Sequence, residues 1–191
     1  ANTGVNGVLC VACAVTNGKN LIDTNPNNYA IIDLTATVGT NASIAVKEQI
    51  TDYPAGNFAG FDIENLGLLN VNALNAITVT TYLNGNLQEA KSGNGALVSV
   101  GTNLLVATGR SKIGFTTTLP FDEVKITLNN TATVTLGTTK VYNAVFEKFC
   151  AGPDLICNTP TALTTPIYPV FINGANTGIN GVLCVACAVT N

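Results

Sequence analysis

The chain repeats itself at its two ends, and nothing else in the sequence restricts its fold as much. Residues 1–17 read ANTGVNGVLCVACAVTN and residues 175–191 read ANTGINGVLCVACAVTN, differing only where Val5 becomes Ile179. The copies start at positions 1 and 175, an offset of 174 residues. Self-similarity of this kind marks a polypeptide of consecutive units that contact their neighbours. The chain then holds one period and the opening of the next: a domain over 1–150, a connector over 151–174, and the first strand region of the following repeat over 175–191. On that reading the second copy should pack into the following domain as the first packs into this one. The alternative is a domain whose two ends are copies that pair with each other.

Within the period the pattern is β. Ile77, Val79, Thr81 and Leu83 alternate with Thr78, Thr80 and Tyr82, the period of two that a half-buried strand requires. Asn84-Gly85 follows as a tight hairpin signal, and Leu87–Lys91 supplies a return strand. Val124, Ile126 and Leu128 alternate with Lys125 and Thr127, after which Asn129-Asn130 reads as a turn. Val141, Ala144 and Phe146 lie in a strand ending near Phe149. Further strands are expected at Val8–Val15, Tyr29–Leu34, Ser43–Gln49, Asn57–Ile63, Ala96–Val100, Leu104–Ala107 and Lys112–Thr117. Asn65–Ala76 could hold a helical turn or two, but its asparagines favour irregular structure. About ten short strands separated by Gly, Asn and Pro predict an all-β fold, an antiparallel β-sandwich of jelly-roll-like form over about Val5–Phe149. After Ala151 come Pro153, Pro160, Pro166 and Pro169, four of the seven prolines. Proline fixes φ and cannot donate to a ladder, so this Pro-rich stretch reads as a stiff inter-repeat connector. Its Ile167, Tyr168, Val170 and Phe171 suggest that it docks on a neighbour.

Composition narrows the function. Charged residues are 10% of the chain, against roughly 25% in ordinary soluble domains, and Asn, Thr and Gly carry the polarity. Neutral faces of this kind associate with little charge to desolvate. A net charge of −3 with eight basic residues argues against nucleic acid, whose binding draws on Lys and Arg. No apolar run approaches the roughly 20 residues that span a bilayer, and the lack of a signal peptide suits an internal repeat.

The cysteines are Cys10, Cys13, Cys150, Cys157, Cys184 and Cys187, which leaves four per period once the duplicated pair is removed. With no His, Cys₂His₂ zinc is excluded, and a Cys₄ site would need the wide spacing of Cys150 and Cys157. A disulfide framework in a secreted protein is the better reading. Residues three apart in a straight strand lie roughly 10 Å apart, beyond disulfide reach. A Cys10–Cys13 bond therefore needs a bend, whereas a straight strand would send both to Cys150 and Cys157. Cys150–Cys157 spans a Gly-Pro-Asp turn and closes easily, so two local bonds lead.

Catalysis has little support, since the chain lacks the usual general base near neutral pH. Asp62 and Glu64, two apart on one strand face, could form a carboxylate pair for glycoside hydrolysis or a metal. The simpler reading makes them solvated residues alternating with Phe61 and Ile63. Asp23, Asn25 and Asn28, with Asn27 between them, offer closely spaced oxygens beside a proline turn, the makings of a calcium loop. An Asx-turn network without metal is the alternative the residues favour. No cofactor is expected apart from calcium at that loop.

CVACAVTN, NLIDTNPNNYAIIDL, GFDIEN, LLNVNALNAITVTTYLNGNLQEA, PFDEVKITL and CAGPDLICNTP, in that order, resemble a repeat of very large secreted surface proteins of Bacteroidota. These are similar to type IX-secreted adhesins and to the grappling-hook filaments of predatory filamentous marine bacteria. The resemblance implies an extracellular, cell-surface tandem array serving attachment or prey capture, and no catalytic residues. Its expected partners are neighbouring repeats of the same chain and parallel copies in a homo-oligomeric fibre. The stretch around Asp23 and Tyr29 also resembles the start of galactose-binding-like sandwiches. That implies the alternative, a carbohydrate-binding module on a surface stalk with cell-surface glycans as partners. The chain lacks the Trp and Arg residues that usually make such a face.

Overall fold

The computed structural model describes residues 9–10, 13–35, 37–65, 71–93, 96–97, 110–130, 136–148, 159–162, 170–180 and 189–190. Of these, 61% are in strands and none are in α-helix. The strands in chain order are β1 (Leu9–Cys10), β2 (Ala14–Thr16), β3 (Ala30–Asp33), β4 (Thr37–Val38) and β5 (Thr40–Glu48). They continue with β6 (Asn57–Glu64), β7 (Ile77–Leu83), β8 (Asn86–Ser92), β9 (Arg110–Thr116), β10 (Glu123–Asn130) and β11 (Thr138–Lys148). Four short ones follow: β12 (Thr159–Ala162), β13 (Val170–Ile172), β14 (Gly178–Asn180) and β15 (Val189–Thr190).

Two sheets face each other. One runs β3-β11-β6-β9 and the other β5-β10-β7-β8. Apart from the β7–β8 hairpin, successive strands of this set alternate between the sheets, which is the jelly-roll arrangement of two Greek keys. Extra strands extend it. β2 and then β15 lie outside β3, β12 lies alongside the far half of β11, and β13 and β14 both pair with β5. Every described pairing is antiparallel except one. Val189 and Thr190 run parallel to Val15 and Thr16, the residues they duplicate.

Inward residues of both sheets make the core. Phe61, Ile63, Ile32, Ile44, Ile126 and Phe146 are all fully buried. The β7–β8 hairpin turns at Asn84 (φ 51°) and Gly85 (φ 80°), the left-handed pair that a two-residue hairpin needs. Asn129 and Asn130 do not turn; they continue β10 opposite Asn41 and Thr40. Their side chains supply what the strand end lacks. Asn130 Nδ2 donates to Leu34 O and its Oδ1 accepts from Leu136 N–H, while Asn129 Nδ2 donates to Ala76 O. The strand expected over Val8–Val15 is two strands, β1 pairing with β4 and β2 with β3. Val71–Ala76 forms a 3-10 turn. Leu104–Ala107 and most of Ala96–Val100 lie outside the described residues.

The stretch after Ala151 enters the sheets where it is described. Glu147 of β11 faces Pro160 of β12, and Val46–Glu48 of β5 face β13. Val170 is buried. The described part of the second repeat copy is likewise built into these two sheets through β14 and β15.

Candidate functional site

The outward face of β6, β9 and β11 carries a cluster of opposite charges. Register brings it together: Glu64 lies opposite both Arg110 and Lys140, and Asp62 opposite Lys112. Between Val141 and Asn143 the β11 ladder slips by one residue, so Tyr142 is an extra residue at a bulge. Bulges re-aim side chains, and Tyr142 becomes the centre of the cluster. The Arg110 guanidinium sits 3.7 Å from its ring centroid, and Tyr29 meets it edge-on at 5.3 Å.

Each carboxylate has its own cation. Asp62 Oδ2 accepts from Arg110 Nη2 at 2.5 Å, and Arg110 Nη1 reaches Pro26 O at 3.2 Å. Glu64 Oε1 accepts from Lys140 Nζ and Oε2 from the Tyr142 hydroxyl, both at 2.7 Å. Lys140 also lies 5.0 Å from the Tyr29 ring centroid. Asp62 and Glu64 thus each hold a separate cation on the outward face, where both stay partly exposed. Those cations fasten the Asp23–Tyr29 loop to the sheet, Arg110 through Pro26 O and Lys140 through the Tyr29 ring.

The Glu64 carboxyl is held below its ordinary value of 4.5, first by the Lys140 hydrogen bond and then by that of Tyr142, with burial opposing. The Lys140 ammonium is pushed up chiefly by Glu64, and the Tyr142 hydroxyl chiefly by burial and then by Glu64. Because the folded value for Glu64 lies below the unfolded one, its contribution is complete above 4.5 and is lost as pH falls through the depressed value. Glu64→Gln should accordingly show a lower urea midpoint than the parent at neutral pH, with the two midpoints converging in strong acid. A gap that stays constant with pH would contradict this assignment.

The candidate calcium loop is an Asx-turn network. Asp23 Oδ1 accepts from Asn25 N–H at 2.9 Å and Asp23 Oδ2 from Asn28 Nδ2 at 2.6 Å. Asn25 Oδ1 accepts from Asn27 N–H at 3.0 Å. Calcium takes six to eight oxygens, whereas here Asn28 turns its amide nitrogen towards Asp23 and both Asp23 oxygens are engaged within the loop. Among the described residues no group of three His, Cys, Asp or Glu side chains could hold a metal ion.

Cys10 lies in β1, and Cys13 is buried in the core. Cys150, Cys157, Cys184 and Cys187 lie outside the described residues, and with them the expected pairing.

Sequence reading missed the carboxylates that fasten loops at the other sheet. Glu89 Oε2 accepts from the N–H groups of Thr118 and Leu119 at 2.7 and 3.0 Å. Glu48 Oε1 accepts from Gln49 and Ile50 N–H at 2.9 and 3.0 Å. Asp122 Oδ2 pairs with Lys47 and accepts from Asn84 N–H, both at 3.0 Å. All three carboxylates are buried, and no local pattern announces them. On both faces charged side chains hold loops to the sheets. Comparison with known proteins found no matching family model, no matching curated protein and no matching solved structure.

Proposed function

We propose that the chain is a structural, adhesive repeat unit of a long extracellular surface fibre, serving attachment or prey capture. The observation that carries this reading is the seventeen-residue segment recurring at a 174-residue offset, a spacing that accommodates the jelly roll and its edge strands. Three further features support it. Asp62, Glu64, Arg110 and Lys140 neutralise one another around two tyrosines, an arrangement suited to rigidity. The polar residues are mostly uncharged, so copies can associate at little electrostatic cost. The ordered motifs resemble type IX-secreted Bacteroidota adhesins.

A chain carrying several consecutive periods, viewed by negative-stain electron microscopy, should appear as a filament of evenly spaced densities, one per period. Densities that are irregularly spaced along a flexible string would overturn the fibre reading.

A further inference from the structure

The outer edge of β5 is occupied by the chain's own later residues. Val170–Ile172 and Gly178–Asn180 pair with its two ends, and the five residues between them clasp its middle. Asn173 N–H donates to Ala45 O at 3.1 Å. Ala45 N–H donates to Thr177 Oγ1 at 2.8 Å, and Ser43 Oγ donates to Asn176 O at 2.9 Å. Behind them lies Glu123 of β10, fully buried. Its Oε2 accepts from Asn173 Nδ2 at 2.8 Å and its Oε1 from Asn176 Nδ2 at 2.7 Å. A buried carboxylate stripped of its donors is costly, so this edge is built to be filled.

The segment that fills it exists twice. Residues 175–180 read ANTGIN and residues 1–6 read ANTGVN. Asn176 and Thr177, which reach Glu123 and Ala45, correspond to Asn2 and Thr3. The one difference, Ile179 for Val5, is a single methylene.

We propose that this segment is a donor strand: the opening residues of each repeat close the β5 edge of the repeat before it. Ala1–Asn6 of one copy is then a ligand for the β5 edge of another. The inference rests on the fibre reading and refines it, because each junction is then a strand shared between neighbours. An edge that accepts a strand from the next copy is a head-to-tail contact that does not close on itself, which generates filaments. It also makes the junction short. Asn6 and Ala14 are eight residues apart, at most about 26–29 Å when fully extended, so the donor strand of one unit and β2 of the next are closely tethered.

In a single chain Asn176–Asn180 competes in cis, at an effective concentration on the order of millimolar. The test therefore weakens that strand. In the full chain carrying Asn176→Ala and Thr177→Val, the Ala45 amide should exchange with deuterium about tenfold faster, the loss expected of a hydrogen bond. A synthetic peptide ANTGVNG should restore the protection, and the same peptide with Ala and Val at its second and third positions should not. Failure of the first peptide to protect Ala45, or equal protection by both, would overturn the proposal. The filament images would still judge the fibre reading separately. A second measurement covers the case in which the substituted chain does not fold. The unsubstituted chain should associate in sedimentation velocity near millimolar concentration, and Asn2→Ala with Thr3→Val should abolish that association. No association of the parent chain, or the same association in both, would equally overturn it.

Discussion

Phe146→Ala is expected to destabilise the domain by about 3–5 kcal/mol, the range for deleting a buried aromatic side chain. Phe146 is fully buried on β11 and meets two other rings edge-on, Tyr53 at 4.7 Å and Phe121 at 4.8 Å between centroids. Tyr53 and Phe121 stack on each other at 5.6 Å and exchange backbone hydrogen bonds of 2.7 and 2.9 Å. The three rings thus join β11 of one sheet to the loops that precede β6 and β10. With alanine in place of Phe146, both edge-on contacts are lost together with the burial, and the two remaining rings, fixed by their backbone bridge, cannot collapse into the space. Since a domain of this kind has only about 5–15 kcal/mol of stability, the substitution should remove a large share of it. Urea unfolding should show a much lower midpoint with an unchanged slope. Phe171→Ala is the comparison, because Phe171 is 38% exposed and its removal should move the midpoint little. A Phe146→Ala midpoint within error of the parent would show that this ring triad does not hold the sheets together.

Much of this architecture was legible in the sequence, and the parts that were not share a cause. β7, β8, β10 and the Asn84-Gly85 turn follow from alternation and turn chemistry, which act over a few residues. The uneven spacing of Val141, Ala144 and Phe146 already carried the bulge at Tyr142, since a regular strand would keep inward residues two apart. Asn129-Asn130 misled because the pair has turn propensity, and the side-chain bonds that keep it extended come from Leu34, Ala76 and Leu136. The proline-bearing Thr159–Ala162 shows no strand pattern and is a strand only because β11 lies beside it. The site divides the same way. Asp62 and Glu64 were visible as neighbours on one face, while Arg110, Lys140, Tyr142 and Tyr29 reach them only through cross-strand register. The fold class is a matter of local rules repeated many times. The charge cluster and the filled β5 edge arise from long-range pairings that no local pattern encodes.

Gly114→Ala is expected to cost about 3 kcal/mol, the upper end of overpacking penalties, and for a reason specific to two adjacent strands. Gly114 of β9 pairs directly with Gly60 of β6. A Cβ at Gly114 would lie 2.2 Å from Ala59 O, 2.6 Å from Gly60 Cα and 2.7 Å from Phe58 Cζ. A Cβ at Gly60 would meet Ile113 O at 2.3 Å and Gly114 Cα at 2.8 Å. Two of the three contacts at Gly114 are backbone atoms, which have no rotamer to change, and the third belongs to Phe58, itself fully buried. The strands must therefore separate, and separation stretches the ladder that places Arg110 opposite Glu64. Calorimetry should show a drop in Tm for Gly114→Ala, whereas Gly174→Ala, where a Cβ meets nothing within 4 Å, should stay close to the parent. The Gly60→Ala and Gly114→Ala effects should also fall short of additivity, because strands already forced apart by one methyl group accommodate the second more cheaply. Full additivity, or a Gly114→Ala protein as stable as Gly174→Ala, would mean that β6 and β9 do not approach as closely as this glycine pair requires.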